Sequence, residues 1–314
     1  MQSLLFLIGR IRTKEGQLLS RNVWQRFSEA ESFAAWVQQL RDTPYADVAD
    51  HTGTFEQFET ALARSFQQLK AELFSVQHFD FEPLLWRKYD IHTIKLLLKM
   101  RFGHKDLHAS MIKCGELSFE QLEAFIVRNE NLGLPLHWIQ VIHKAEEIFK
   151  AHDRSYSAMD TYLDSVLYEE LRQTAEPWGS NVQRFVEQQI DEANFKLWWF
   201  SLKKPGTINA FLDGGTRSQD FLKKHEGVNV EELIKQLFPG LTLAQPIDEA
   251  LLQRELDDRV SRHLFNQRFT SQGVLPVLVF FRAKELEIKN LKTFYLQKAK
   301  NYQKLSDYVR ETYA

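Results

Sequence analysis

Apolar side chains recur every three or four positions through much of this chain, the spacing that lays one stripe along a helix. In "EIKNLKTFYLQKAKNY", which begins at Glu287, Leu291, Phe294 and Tyr295 share one face at about 100° per residue. "DIHTIKLLLKMRFG", from Asp90, does the same with Ile94, Leu97 and Leu98, and "DEANFKLWWFSLKKPG", from Asp191, with Phe195, Trp198 and Trp199. "FKLWWFSL" is apolar on most sides, which predicts a helix central to its surroundings. Alternating runs bounded by turn residues are few, so strands have little support. Breakers cluster in "RDTPYADVADHTGT", "NENLGLP", "KKPGT", "LDGGTRS", "FPGLTLAQP" and "TSQGVLP", the predicted loops. The pattern predicts an all-α protein.

The three helical segments also match one another. Each opens on an acid, Asp90, Asp191 or Glu287, and carries a lysine five residues on: Lys95, Lys196 and Lys292. A polar residue stands at the third step, Thr93, Asn194 or Asn290. The starts lie about a hundred residues apart, which reads as a recurring module. Gly115 and Gly215 follow the first two segments, each leading into a serine and a new amphipathic stretch, "SFEQLEAF" and "SQDFLKK". The third segment lies too near the C-terminus for such a follower, and Ser32 before "FAAWVQQL" is the N-terminal candidate for it.

This predicts three similar helical modules: residues 1–80 with 285–314, assembled from both ends of the chain, then 81–180, then 181–284. Amphipathic helices also resemble one another by chance; matching acid, polar, apolar and lysine positions at near-constant spacing favour true repeats. On a helical projection the acid flanks the apolar stripe by about 50° and the lysine by about 90° on the other side. Positions five apart do not face each other, so the two are placed to meet neighbouring elements rather than each other. That is a structural reading. An acid–base catalytic pair is the alternative, and catalytic pairs do not usually recur three times.

Composition narrows the classes. Glycine (13) and proline (8) are scarce, which suits long helices. A formal charge of −2 gives no bulk attraction to nucleic acid or anionic lipid. Cys114 is the single cysteine, so no intramolecular disulfide can form, as expected of a reducing compartment. The apolar run Val274–Phe281 is far shorter than the roughly 20 residues of a membrane span. The opening "MQSLLFLIGRIRTKEG" lacks a preceding basic region and reads as the first turns of a helix, not a signal peptide. A cytosolic protein is expected.

The chain carries no Walker loop, no dinucleotide glycine fingerprint and no nucleophile elbow. No cofactor is expected. His104 and His108 in "HKDLH" have the spacing of a helical metal pair, but a third ligand is not evident, and Lys105 stands where a metalloprotease has glutamate. His92 and His143 read as edge residues of amphipathic stretches. The basic, aromatic stretch "LKTFYLQKAKNYQKL" fits either a nucleic-acid stripe or a helix with a solvated lysine face and Phe294, Tyr295 and Tyr302 near the core.

"VLVFFRAKELEIKNLKTFYLQKAKN" also resembles the C-terminal signature of the C subunits of V-type and A-type rotary ATPases, the family related to the eukaryotic d subunit. Glu287, Ile288, Lys289, Asn290, Leu291 and Lys292 carry the match. "YDIHTIKLLLKMRFG" resembles its internal signature through Asp90, Ile94 and Lys95. "GRIRTKEGQLLS" and "LRDTPYA" resemble its N-terminal region through Arg12, Glu15, Leu18, Leu19, Thr43 and Tyr45. Thr93 stands where the family usually has asparagine. The resemblance implies a pseudo-threefold, funnel-like arrangement of helical modules. It also implies a non-catalytic rotor component, seated on the membrane rotor ring, that accepts the foot of the central stalk. A helical scaffold or adaptor is the second reading, and a helical nucleic-acid binder the third.

Overall fold

Three helices begin where serines stand. Ser32, Ser118 and Ser155 each turn a side-chain oxygen onto a backbone N–H three residues on, at Ala35, Gln121 and Ala158. These bonds satisfy donors that a helix start would otherwise leave open. Asn129 closes the second of these helices in the left-handed conformation, at φ 59°. The computed structural model describes residues 4–74, 77–103, 107, 113–203, 211–216, 232, 249–300 and 308–313. Within them the chain forms α1 (Leu4–Glu15), α2 (Arg21–Glu29), α3 (Phe33–Arg41), α4 (Ala46–Ala49), α5 (Phe55–Phe74) and α6 (Pro83–Gly103). There follow α7 (Phe119–Arg128), α8 (Leu136–Ala151), α9 (Tyr156–Ala175), α10 (Ser180–Lys203), α11 (Glu249–Phe265) and α12 (Leu275–Ala299). Among the described residues there is no strand, as the hydrophobic pattern predicts.

Two compact units result. One comprises Met1–His78 with Leu243–Ala314, the other Phe79–Thr242. In the first, α12 is the axis, and α1, α3, α5 and α11 pack around it. A helix surrounded in this way must be apolar on nearly every side. Val277, Leu278, Phe280, Phe281, Leu286, Leu291 and Phe294 are accordingly all buried. Trp24 stacks on Phe294 with ring centroids 5.8 Å apart, and Phe58 stacks on Tyr295 at 4.8 Å. Phe27, Phe33 and Trp36 meet the same two rings edge-on. Offset and edge-on pairs add about 0.5–1.5 kcal/mol each beyond area burial.

In the second unit α6 lies against α7 and α9, α8 lies against α9, and α10 also packs on α9. Ile94, Leu97 and Leu98 of α6, and Phe195 and Trp198 of α10, have no exposure, the positions the apolar stripes predict. Trp199 is half-buried.

α11 brings two neighbouring acids, Asp257 and Asp258, into the interior of the first unit, and their surroundings drive them apart. Burial pushes the Asp257 carboxyl up, but Lys289, Arg282 and Arg310 outweigh it and hold the group well below the usual carboxylate range. Lys289 Nζ stands 2.7 Å from Oδ1 and Arg310 Nε 2.6 Å from Oδ2. Asp258 has one backbone N–H, from Glu311 at 2.8 Å, and burial pushes its carboxyl up to about 6.

The pH dependence of stability should therefore carry opposite signs at these neighbours. An acid raised from 3.8 to about 6 binds more protons folded than unfolded between those values. Its contribution is then full below pH 3.8 and is lost as the pH rises through 6, by up to about 3 kcal/mol. Asp258→Asn keeps the acceptor for the Glu311 N–H. It should flatten the wild-type loss between pH 4 and 6 and match or exceed wild-type stability at pH 7.5. Asp257→Asn should be destabilising there, by a few kcal/mol at most, because it strips the shared partner from three half-buried cations. Urea unfolding at pH 5.0, 6.0 and 7.5 measures both; an Asp258→Asn variant that is less stable at pH 7.5 would contradict the sign.

Candidate functional site

The three motif acids all sit in the interior, Asp90 at 1%, Asp191 at 9% and Glu287 at 0% exposure. A buried carboxylate needs donors, and each of these draws on the backbone of a following or distant loop. Asp90, on α6, accepts the N–H groups of Glu116 at 3.2 Å and Leu117 at 3.0 Å. Asp191, on α10, accepts the N–H of Thr216 at 2.9 Å together with the Thr216 hydroxyl. Glu287, on α12, accepts the N–H of Leu19, the Tyr45 hydroxyl at 2.9 Å and the Lys284 ammonium at 2.8 Å. Burial first, and then the adjoining carboxylate, pushes the Tyr45 hydroxyl up, so it stays protonated and donates.

Two glycines make room for this. A Cβ on Gly115 would stand 2.7 Å from Asp90 Cγ, inside any ordinary contact, and one on Gly215 would strike Asp191 Oδ1. The residue before the donating N–H is thus glycine in both Asp copies. In the Glu287 copy it is Leu18, and the acid is longer by one methylene.

The third-step asparagines read backbone in both directions. Asn194 Nδ2 donates to the Leu212 carbonyl at 2.8 Å, and the Leu212 N–H returns to Asn194 Oδ1 at 2.7 Å. Asn290 does the same with Arg310, at 3.0 Å and 2.8 Å. Two of the three lysines reach a neighbouring helix. Lys95 pairs with Asp164 of α9 at 2.6 Å and Lys292 with Glu59 of α5 at 2.7 Å, each on a neighbouring helix. Lys196 pairs with Glu192 one turn back on its own helix.

Around Asp90 lies a network that the acid–lysine spacing does not anticipate. Arg87 donates to Asp90 at 3.0 Å and pairs with Glu116 at 2.9 Å and Glu170 at 2.6 Å, with its guanidinium 4.7 Å from the Trp138 ring centroid. A cation between three carboxylates lies three residues before the motif acid, a helical neighbour that could have signalled it. Leu19 and Tyr45, both part of the N-terminal family resemblance, bind Glu287, and Thr43 and Glu15, of the same resemblance, make contacts of their own. Thr43 Oγ1 accepts the Tyr45 N–H at 3.2 Å, and Arg12 holds Glu15 at 2.8 Å.

Of the basic aromatic stripe, Phe294, Tyr295 and Lys298 are turned inward, while Lys300 is exposed. Phe294 and Tyr295 are core, and the Lys298 ammonium donates to the Ser28 carbonyl at 3.0 Å and to that of Ala30. Tyr302, His104 and His108 lie outside the described residues. His92 and His143 are exposed. Among the described residues no group of three or more His, Cys, Asp or Glu is placed to hold a metal. The arrangement is that of carboxylates and amides binding backbone, not of an open catalytic cleft.

The model of the family described as ATP synthase (C/AC39) subunit matches residues 7–305. The C subunit of the V-type sodium ATPase of Enterococcus hirae is 22% identical, covering 96% of this chain and 97% of that protein. The C subunit of the A-type ATP synthase of Methanosphaera stadtmanae is 22% identical over 90% of this chain and 81% of its own length. That of Methanocaldococcus jannaschii is 22% identical, over 94% and 83%. With nearly the whole chain matched in order, this protein belongs to the ATP synthase (C/AC39) subunit family, whose members are non-catalytic subunits of V- and A-type ATPases.

Proposed function

We propose that this chain is a central-rotor component, a socket joining the central stalk to the membrane rotor ring in ATP-driven or ATP-synthesising transport of protons or sodium ions. The observation that carries the reading is the end-to-end likeness to the C subunits of rotary ATPases. Among the described residues no helix is long and apolar enough to cross a membrane, which agrees with a part held at the membrane by the ring. Torque transfer needs stiffness, and α12, sheathed in stacked aromatics, offers it. The inward turn of Lys298, Phe294 and Tyr295 weighs against the nucleic-acid reading and leaves the adaptor as the alternative.

The fold proposed for this role is a pseudo-threefold funnel of three modules: 1–80 with 285–314, 81–180 and 181–284. α12 runs unbroken through the last of these boundaries. In each module the motif acid, Asp90, Asp191 or Glu287, fastens its helix to a loop by binding backbone N–H groups. Asn194 and Asn290 add a second fastening, and Lys95 and Lys292 tie their helices to a neighbour, while Lys196 pairs along its own helix. Where glycine precedes the donor, aspartate suffices; where Leu18 stands, the longer glutamate spans the added width.

Replacing each acid by alanine should destabilise the protein, at about 1–3 kcal/mol for each stranded donor. Glu287→Ala should cost most, because it strands the Leu19 N–H, the Tyr45 hydroxyl and Lys284 in the interior, whereas Asp90→Ala leaves Arg87 two other carboxylates and its N–H donors less deeply buried. Gly115→Ala should be costly alone and much cheaper in an Asp90→Ala background, where the clashing carboxylate is gone. A double-mutant cycle by urea unfolding reads this coupling; additive losses would mean that the glycine serves something else.

The coupling role is tested by gel filtration of the purified protein with the central-stalk proteins and, separately, with detergent-solubilised rotor ring. Co-elution with both is expected, with stalk binding weakened at high salt. Folded protein that binds neither at low salt leaves the adaptor reading in place. The protein alone should hydrolyse no ATP; turnover abolished by a point change in this chain would overturn the non-catalytic assignment.

A further inference from the structure

We draw no further inference here: the strongest candidate, the exposed apolar side chains of Val127, Leu132 and Leu136 where α7 turns into α8, is an unpartnered apolar surface, and nothing in the structure shows what covers it.

Discussion

Glu287 has no exposure, and its two oxygens must therefore be satisfied by protein alone. They are, by the Leu19 N–H on one oxygen and by the Tyr45 hydroxyl and Lys284 on the other. These partners come from the turn after α1, the approach to α4 and α12 itself. A fully buried carboxyl group is tolerable only while its donors stay in position, so it penalises every displacement of those elements. An apolar residue at the same site would hold the helices together without specifying their register. The carboxylate sacrifices some burial energy and gains a defined docking of sequence-distant segments.

The other two acids apply the same physics over shorter loops. Asp90 and Asp191 close on chain some two dozen residues ahead, and glycine lets the backbone approach until a short side chain can reach it. Acid length and the neighbouring residue are thus one variable. This explains why the acid differs among the copies while the apolar stripe beside it keeps the same positions. The stripe fixes which face is buried; the carboxylate fixes how far the helix slides along it.

Helices, their buried faces and their serine caps were legible in the sequence, since each depends on residues within four or five positions. Ile94, Phe195 and Leu291 are all buried where the periodicity puts them, and Ser32 and Ser118 cap as their positions predict. The acids could be found as repeated positions but not understood, because their partners are main-chain N–H groups and every residue but proline carries one. The lysines were half legible. Lys95 and Lys292 meet neighbouring helices, whereas Lys196 turns back to Glu192, a choice set by which carboxylate lies within reach. Arg87 has a counterpart in Lys284, each paired with the acid three residues on, a recurrence that the acid–lysine spacing passes over, whereas the Asp257 cluster gave no repeating signal. Arg310 reaches Asp257 from 53 residues away, a pairing that only the folded chain creates.

Asn290 draws these levels together. It lies one helical turn from Glu287 on α12, and the two side chains hold backbone from different parts of the sequence, Arg310 and Leu19. Asn194 and Asp191 stand in the same relation on α10 but hold Leu212 and Thr216, within one continuous stretch. The single helix α12 thus does with two separate segments what α10 does with one. A helix so used must keep both polar groups buried and aligned, which an unbroken run free of glycine, with its one proline in the first turn, is suited to do. The polar groups that look most out of place in the core are in this sense the ones that join the distant parts of the chain.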